Sequence, residues 1–268
     1  MTNRDTRTSL VRGQMLLFGS LLVLSGAAWG ILVWQAGEMS GGAALSMGMG
    51  DGTGISLTMG MGAALFMGMW VLMMIAMMFP TGAPMILTFA SISKNRQGKG
   101  ESFVPTWFFV TSYLLLWTAF GVVAYLVAIG ANQLGERAMF LHDNGARIGG
   151  GLLVVAGVYQ LSPLKKLCLT QCRTPLTFVL TSWREGYRGA LEMGFRHGTY
   201  CLGCCWLVFV ILLPLGVMNV AAMGVATLVI FAEKALPGGI LLGRLAGAAL
   251  AVFGVIVLFR PGLLPTTL

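Results

Sequence analysis

Four side chains able to bind a metal ion lie close together in the sequence: His197, Cys201, Cys204 and Cys205. At about 100° per residue of an α-helix they fall on one face. Thiolate and imidazole groups together suit a soft or borderline ion, copper first and zinc second. One helix face can offer a single ion only two or three ligands, so this motif predicts half of a metal site. The alternative interpretation is that the cysteines only pack as small apolar residues.

The chain contains 18 methionines, several of them in one apolar segment. Met73 and Met77 lie on one helical stripe there, and Met74 and Met78 lie on a second. A thioether prefers Cu(I) but is also a good apolar space-filler, so packing is again the alternative. We predict that these methionines, Met73 and Met77 above all, complete the site of the cysteines.

Three further candidates lie elsewhere. Cys168 and Cys172 stand in a polar connection, and Glu233 precedes Lys234 at the end of a late apolar run. Acidic groups near a membrane span are costly unless they are paired. Glu233 is therefore interpreted either as part of an interfacial ion pair or as a metal ligand or proton acceptor.

The composition indicates where these residues must lie. Of the 268 residues 57% are hydrophobic and 10% charged, with a mean hydropathy of +0.84. A soluble domain does not tolerate so apolar a surface, so we predict an all-α, polytopic membrane helix bundle in contact with the lipid bilayer. The net charge of +8 comes from short basic clusters between apolar runs, which indicates membrane topology and argues against a nucleic-acid partner.

Residues 1–268 are predicted to form a single membrane domain. An apolar run of about 20 residues crosses a bilayer as a helix, and about seven runs qualify. The predicted spans are 14–35, 63–92, 103–130, 146–164, 193–216, 217–232 and 238–259. The sixth is short enough to be tilted or re-entrant. Prolines 80, 84 and 214 interrupt the second and fifth spans and predict kinks.

Lysine and arginine positions predict the orientation. With the N-terminus inside, all of the 17 basic residues except Arg137, Arg147 and Arg260 fall on the cytoplasmic side. The predicted location is the bacterial inner (cytoplasmic) membrane. The cysteines then lie toward the reducing side, where thiols stay free.

Residues 1–13 are predicted to form a cytoplasmic tail. Two of the predicted connections between spans have compositions that suggest further roles. The external loop 36–62 is rich in methionine and glycine and is predicted to be flexible. The cytoplasmic loop 163–192 contains Cys168 and Cys172, followed by apolar residues at helical spacing that predict an amphipathic helix on the membrane face.

Ordered blocks along residues 63–258 resemble a bacterial family of predicted metal-binding integral membrane proteins of unknown function. The blocks are Met-Met-x-Ala-Met-Met-x-Pro at 73–80, the segments around Cys168 and Cys172, Gly-x-x-His-Gly-x-x-Cys-x-Gly-Cys-Cys-Trp at 194–206, Gly-x-Met-Asn at 216–219, and Glu233-Lys234. The resemblance implies a polytopic protein with a metal site at these Met, Cys and His positions. It implies no reaction, metal or direction of transport.

The favoured function is Cu(I) handling, as a transporter or a copper-delivery protein with a metallochaperone as partner. ATP hydrolysis is not expected, because the chain has no Walker pattern and no phosphorylated-aspartate pump motif. The first alternative is a membrane metalloenzyme or a metal-binding subunit of a membrane enzyme complex. A structural or assembly subunit in which Cys and Met only pack is a further alternative, and a thiol oxidoreductase ranks below the others. The glycine spacing at 239, 243 and 247 predicts close helix packing, within one chain or in a homo- or hetero-oligomer.

Overall fold

The computed structural model describes residues 3–40, 62–98, 100, 104–137, 144–212 and 219–263. Over these ranges the chain forms nine α-helices, a 3-10 turn at Pro261–Leu263, and no strand. The helices are α1 Asn3–Ser40, α2 Ala63–Gln97, α3 Thr106–Arg137, α4 Gly145–Leu161, α5 Pro163–Arg173, α6 Pro175–Ser182, α7 Gly186–Leu212, α8 Val220–Ala235 and α9 Gly239–Phe259. The prediction of an all-α helix bundle is confirmed.

Fewer helices reach membrane length than the seven predicted spans. Five described helices are long and apolar enough to cross a membrane, namely α1, α2, α3, α7 and α9, or six if α4 and α5 form one bent span. The predicted span 217–232 corresponds to α8, which has 16 residues and so measures about 24 Å. This is short of the ~30 Å hydrocarbon core.

The predicted span 146–164 breaks at Ser162, where α4 and α5 meet at 62°. A residue before proline is pushed out of the helical region, and Ser162 is extended with ψ of 150°. Pro163 then begins α5, and the Ser162 hydroxyl accepts a hydrogen bond from the Lys165 backbone N–H at 3.2 Å. The bend directs α5 against α7.

Helix α2 continues through both internal prolines and forms much of the core. Because Pro80 has no N–H, the carbonyl of Ala76 loses its donor within the helix. The Ser25 hydroxyl and the Trp29 indole, both from α1, donate to that carbonyl at 2.7 and 3.1 Å. The packing of α1 on α2 therefore satisfies the backbone group that the proline leaves free.

Helices α4 and α9 pack antiparallel through glycines. A Cβ on Gly157 would lie 2.6 Å from the backbone of Gly247 and Ala251, and one on Gly150 would lie 3.1 Å from the Gly254 carbonyl. The glycines at 243 and 247 thus contact other helices of the same chain, Gly243 near Glu233 and Gly247 near Gln160. Small residues let the two backbones approach this closely.

The predicted loops are described only in part. Residues 41–61 of the external loop 36–62 and Pro214 lie outside the described residues. Residues 3–13 of the predicted tail continue α1. The predicted amphipathic helix corresponds to α6, in which Val179 is buried while Leu176 and Leu180 are exposed.

Candidate metal centre

Helix α7 turns the predicted motif inward, as its periodicity indicated. His197, Cys201, Cys204 and Cys205 are all buried. The sulfurs of the three cysteines lie within 4.8 Å of one another, and those of Cys204 and Cys205 are 3.1 Å apart. All five cysteines of the chain carry free thiols.

Glycines of the motif let the neighbouring helices approach α7. A Cβ on Gly194 would lie 2.3 Å from the Phe109 carbonyl of α3, and one on Gly198 would lie 2.8 Å from Leu116. On the side of α5, a Cβ on Gly203 would lie 2.7 Å from the Cys168 sulfur. These glycines therefore allow α3 and α5 to pack closely around the cysteines.

Helix α5 contributes a fourth thiol. The Cys172 sulfur is 4.0 Å from that of Cys204, and Cys172 is buried. Cys168, one turn earlier in α5, is only partly buried. The sequence placed both residues in a cytoplasmic loop, separate from the motif. The close approach depends on the bend at Ser162, which the apolar pattern did not reveal.

Helix α2 contributes a thioether. Met78 Sδ lies 4.0 Å from Cys201 Sγ. The sequence instead favoured Met73 and Met77 as the methionines nearest the cysteines. Met73, Met74 and Met77 are buried in the same core as the cysteines.

Two polar residues that sequence reasoning did not assign to the site also contact Cys201. Lys234 Nζ of α8 is 3.2 Å from Cys201 Sγ, and the Tyr113 hydroxyl of α3 is 3.1 Å from it. The only sequence signal for Lys234 was its place beside Glu233 in a mostly apolar region, and no signal distinguished Tyr113. The structure thus places one cationic and one neutral polar group at the same thiol.

His197 lies beside the cysteines rather than among them. Its ring is 5.6 Å from that of Tyr113, 5.9 Å from Phe109 and 5.7 Å from Phe178. His197 Nδ1 is buried with no hydrogen-bond partner among the described residues. A buried polar atom in this state is unusual, and the indole nitrogens of Trp117 and Trp183 share it.

Glu233 belongs to a different buried cluster. Its carboxylate is 2.6 Å from Lys165 Nζ and 3.1 Å from the Gln160 amide nitrogen, and Lys165 also donates to Gln160. We call Gln160, Lys165 and Glu233 the ion-pair cluster. The ion-pair interpretation of Glu233 is therefore the one that agrees with the structure, although the partner comes from α5.

The sulfur atoms around Cys201 have the chemistry of a soft-metal site. We call Cys172, Cys201, Cys204, Cys205 and Met78 the sulfur cluster. Four thiols and one thioether converge from α5, α7 and α2 in the buried core. Thiolates and thioethers select soft ions, whereas Mg²⁺ and Ca²⁺ need oxygen ligands.

The fold and the site together define a helix bundle with membrane-length helices and a buried group of cysteines suited to a metal ion. The copper chaperone family PpoB2 matches residues 67–257, well over half of the chain. The chain belongs to this family. No curated protein and no solved structure matches the chain. The family match agrees with the metal-binding resemblance seen in the sequence and indicates copper.

Proposed function

We propose that the protein binds Cu(I) in the sulfur cluster and delivers it to another protein. The observation that carries this proposal is the convergence of four thiols and a thioether from three helices in the buried core. Membership of a copper chaperone family supports copper as the cargo. Delivery rather than catalysis is favoured because the cluster offers only sulfur ligands, which hold Cu(I) without requiring a change of oxidation state.

The composition of the cluster favours copper over zinc. Structural zinc is held by four ligands in a tetrahedron, and four cysteines are one of its common ligand sets. Cu(I) needs only two or three soft ligands, and a thioether such as Met78 suits it far better than it suits zinc. Four thiols alone would suit either ion, so the thioether of Met78 and the copper chaperone family are what favour copper. Zinc therefore remains the second choice.

A path for the metal follows from the exposure of the sulfurs. Cys168 is partly buried and stands one turn from Cys172, so it is the thiol that a metallochaperone could reach for ligand exchange. From there, Cys172 leads to Cys204 and Cys201, and Met78 leads on to the buried methionines of α2. In the proposed orientation the N-terminus is cytoplasmic and the bundle lies in the bacterial inner membrane. Copper would pass between the methionine-rich external loop and the cysteines.

The test is the metal content of the protein purified in detergent under reducing conditions after incubation with Cu(I). The unaltered chain should retain about one Cu(I), and Cys201→Ser/Cys204→Ser should lose most of it because three of the close sulfur contacts disappear. Met85→Leu is the control and should bind copper normally, since Met85 of α2 is buried in a different core cluster. Copper content that the double substitution leaves unchanged would refute the site.

A further inference from the structure

Glu233 and Lys234 are adjacent in α8 and carry opposite charges, and their side chains contact different clusters. Glu233 reaches Lys165 at 2.6 Å, and both side chains are buried. Lys234 reaches Cys201 Sγ at 3.2 Å. Because the charge of Glu233 is already balanced by Lys165, the positive charge of Lys234 is left for the sulfur cluster.

The end of α8 is held in a way that fixes this arrangement. The Arg173 guanidinium of α5 donates to the Glu233 and Leu236 carbonyls, the second at 2.7 Å. It also donates to the Pro237 carbonyl at 3.3 Å. Cations are favourable at the C-terminus of a helix, where the last carbonyls lack partners. Arg173 and the Glu233–Lys165 pair thus position Lys234 from two sides.

We infer that Lys234 is a charge-balancing residue, whose ammonium supplies the positive charge that lets a monovalent ion be held by two thiolates in this buried site. This inference rests on the proposed function. A Cu(I) ion with two thiolates carries a net charge of −1, and Lys234 brings the total to zero. A net charge buried in the bundle would be strongly unfavourable.

The other groups that contact the sulfurs cannot provide this charge. The Tyr113 hydroxyl and Met78 Sδ, which also lie close to Cys201, are both neutral. Without Lys234, the site must either hold an unbalanced negative charge or bind the ion through one thiolate only. Either outcome weakens the binding of a monovalent ion.

Lys234 could instead serve only by packing its aliphatic stem, and substitutions separate the two roles. Lys234→Arg keeps the charge but changes the shape, whereas Lys234→Leu keeps apolar bulk but removes the charge. Leucine is preferred to methionine because a new thioether would add a copper ligand. Lys166→Leu is the matched control, since it removes one exposed cation elsewhere in the chain.

The experiment is a Cu(I) titration of the full-length protein in detergent against a chromophoric chelator, with copper X-ray absorption to count the bound sulfurs. Lys234→Leu should lower Cu(I) affinity by about 10- to 100-fold, as expected for the loss of a charge this close to the sulfur in a poorly solvated site. Its sulfur count should also fall. The Cu(I) affinity of Lys234→Arg should stay within about threefold of that of the unaltered chain. The affinity of Lys166→Leu should equal that of the unaltered chain. If Lys234→Leu does not accumulate, Lys234→Gln replaces it with the same expected loss.

Three outcomes would overturn the inference. Unaltered affinity in the leucine or glutamine variant, with normal binding by the original chain, would refute the role of Lys234 and leave the sulfur site standing. An arginine variant as weak as the leucine variant would show that shape rather than charge matters. Failure of the unaltered protein to bind more Cu(I) than Cys201→Ser/Cys204→Ser would refute the proposed function, and this inference with it.

Discussion

The bundle contains two buried polar clusters, the ion-pair cluster and the sulfur cluster. They differ in how many of their polar groups already have a bonding partner. In the ion-pair cluster the Glu233 carboxylate accepts from both Lys165 and Gln160, so its charges are paired. In the sulfur cluster four thiols contact one another, a thioether, Lys234 and the Tyr113 hydroxyl. A satisfied buried network specifies structure, whereas a buried group of thiols and a thioether has unused capacity to bind a soft metal ion. The comparison therefore assigns structure to the first cluster and metal binding to the second.

The largest effect that this comparison predicts is on the ion-pair cluster. Glu233→Ala should destabilise the bundle by about 3–5 kcal/mol, because it leaves the Lys165 ammonium buried without a counter-charge. The measurement is unfolding in a denaturing detergent. The double substitution Lys165→Leu/Glu233→Leu should recover much of the loss, since an apolar pair of similar volume often replaces a buried ion pair without cost. If the single and double variants were equally unstable, the pairing would not explain the effect.

A smaller loss of stability is predicted at the glycine contact between α4 and α9, outside both polar clusters. Cu(I) binding should not change there. Gly157→Ala should destabilise the packing of α4 on α9 by about 1–3 kcal/mol, because the new Cβ overlaps the backbone of α9. Gly151→Ala is the matched control, as its Cβ would meet nothing within 4 Å. The same unfolding assay reports both variants, and Cu(I) binding of the folded protein should not change. A Gly157→Ala variant as stable as the control would argue against the close approach of α4 and α9.

The smallest predicted effect is confined to the sulfur cluster. Met78→Leu should lower Cu(I) affinity by about 3- to 10-fold, because a thioether is a weaker ligand than a thiolate. Stability should change by less than about 1.5 kcal/mol, since leucine conserves the volume. Met85→Leu, at another buried methionine of α2, is the control and should bind Cu(I) normally. Equal affinities in the two variants would remove Met78 from the site.

The comparison also shows which parts of the site the sequence could predict. Helical periodicity placed His197 and the three cysteines of α7 on one face, and the apolar runs located most of the helices. These features depend on short-range spacing. The partner of Glu233 lies 68 residues away, and Cys172 lies 32 residues from Cys204, so neither contact leaves a local pattern. Both depend on the bend at Ser162, where a predicted span continued across Pro163.

The role of methionine was harder to predict for a different reason. Two helical stripes of α2 carried nearly equivalent methionines, and only the rotation of α2 against α7 decides which sulfur approaches Cys201. The Trp70 ring of α2 packs against Phe209 of α7 at 6.2 Å, and its indole donates to the Trp117 carbonyl of α3 at 2.9 Å, and no periodicity encodes these contacts. Lys234 was missed because an adjacent acidic residue offered a simpler partner.

The most direct test of the copper site is X-ray absorption spectroscopy of the Cu(I)-loaded protein. We expect the first coordination shell of copper to contain two or three sulfur atoms and no nitrogen or oxygen, because the proposed ligands are thiolates and a thioether. The shell should be lost in Cys201→Ser/Cys204→Ser and kept in Met85→Leu, whose residue is buried in a different core cluster. A shell containing nitrogen or oxygen in the unaltered protein, or one indifferent to the double substitution, would contradict the assignment of copper to the sulfur cluster.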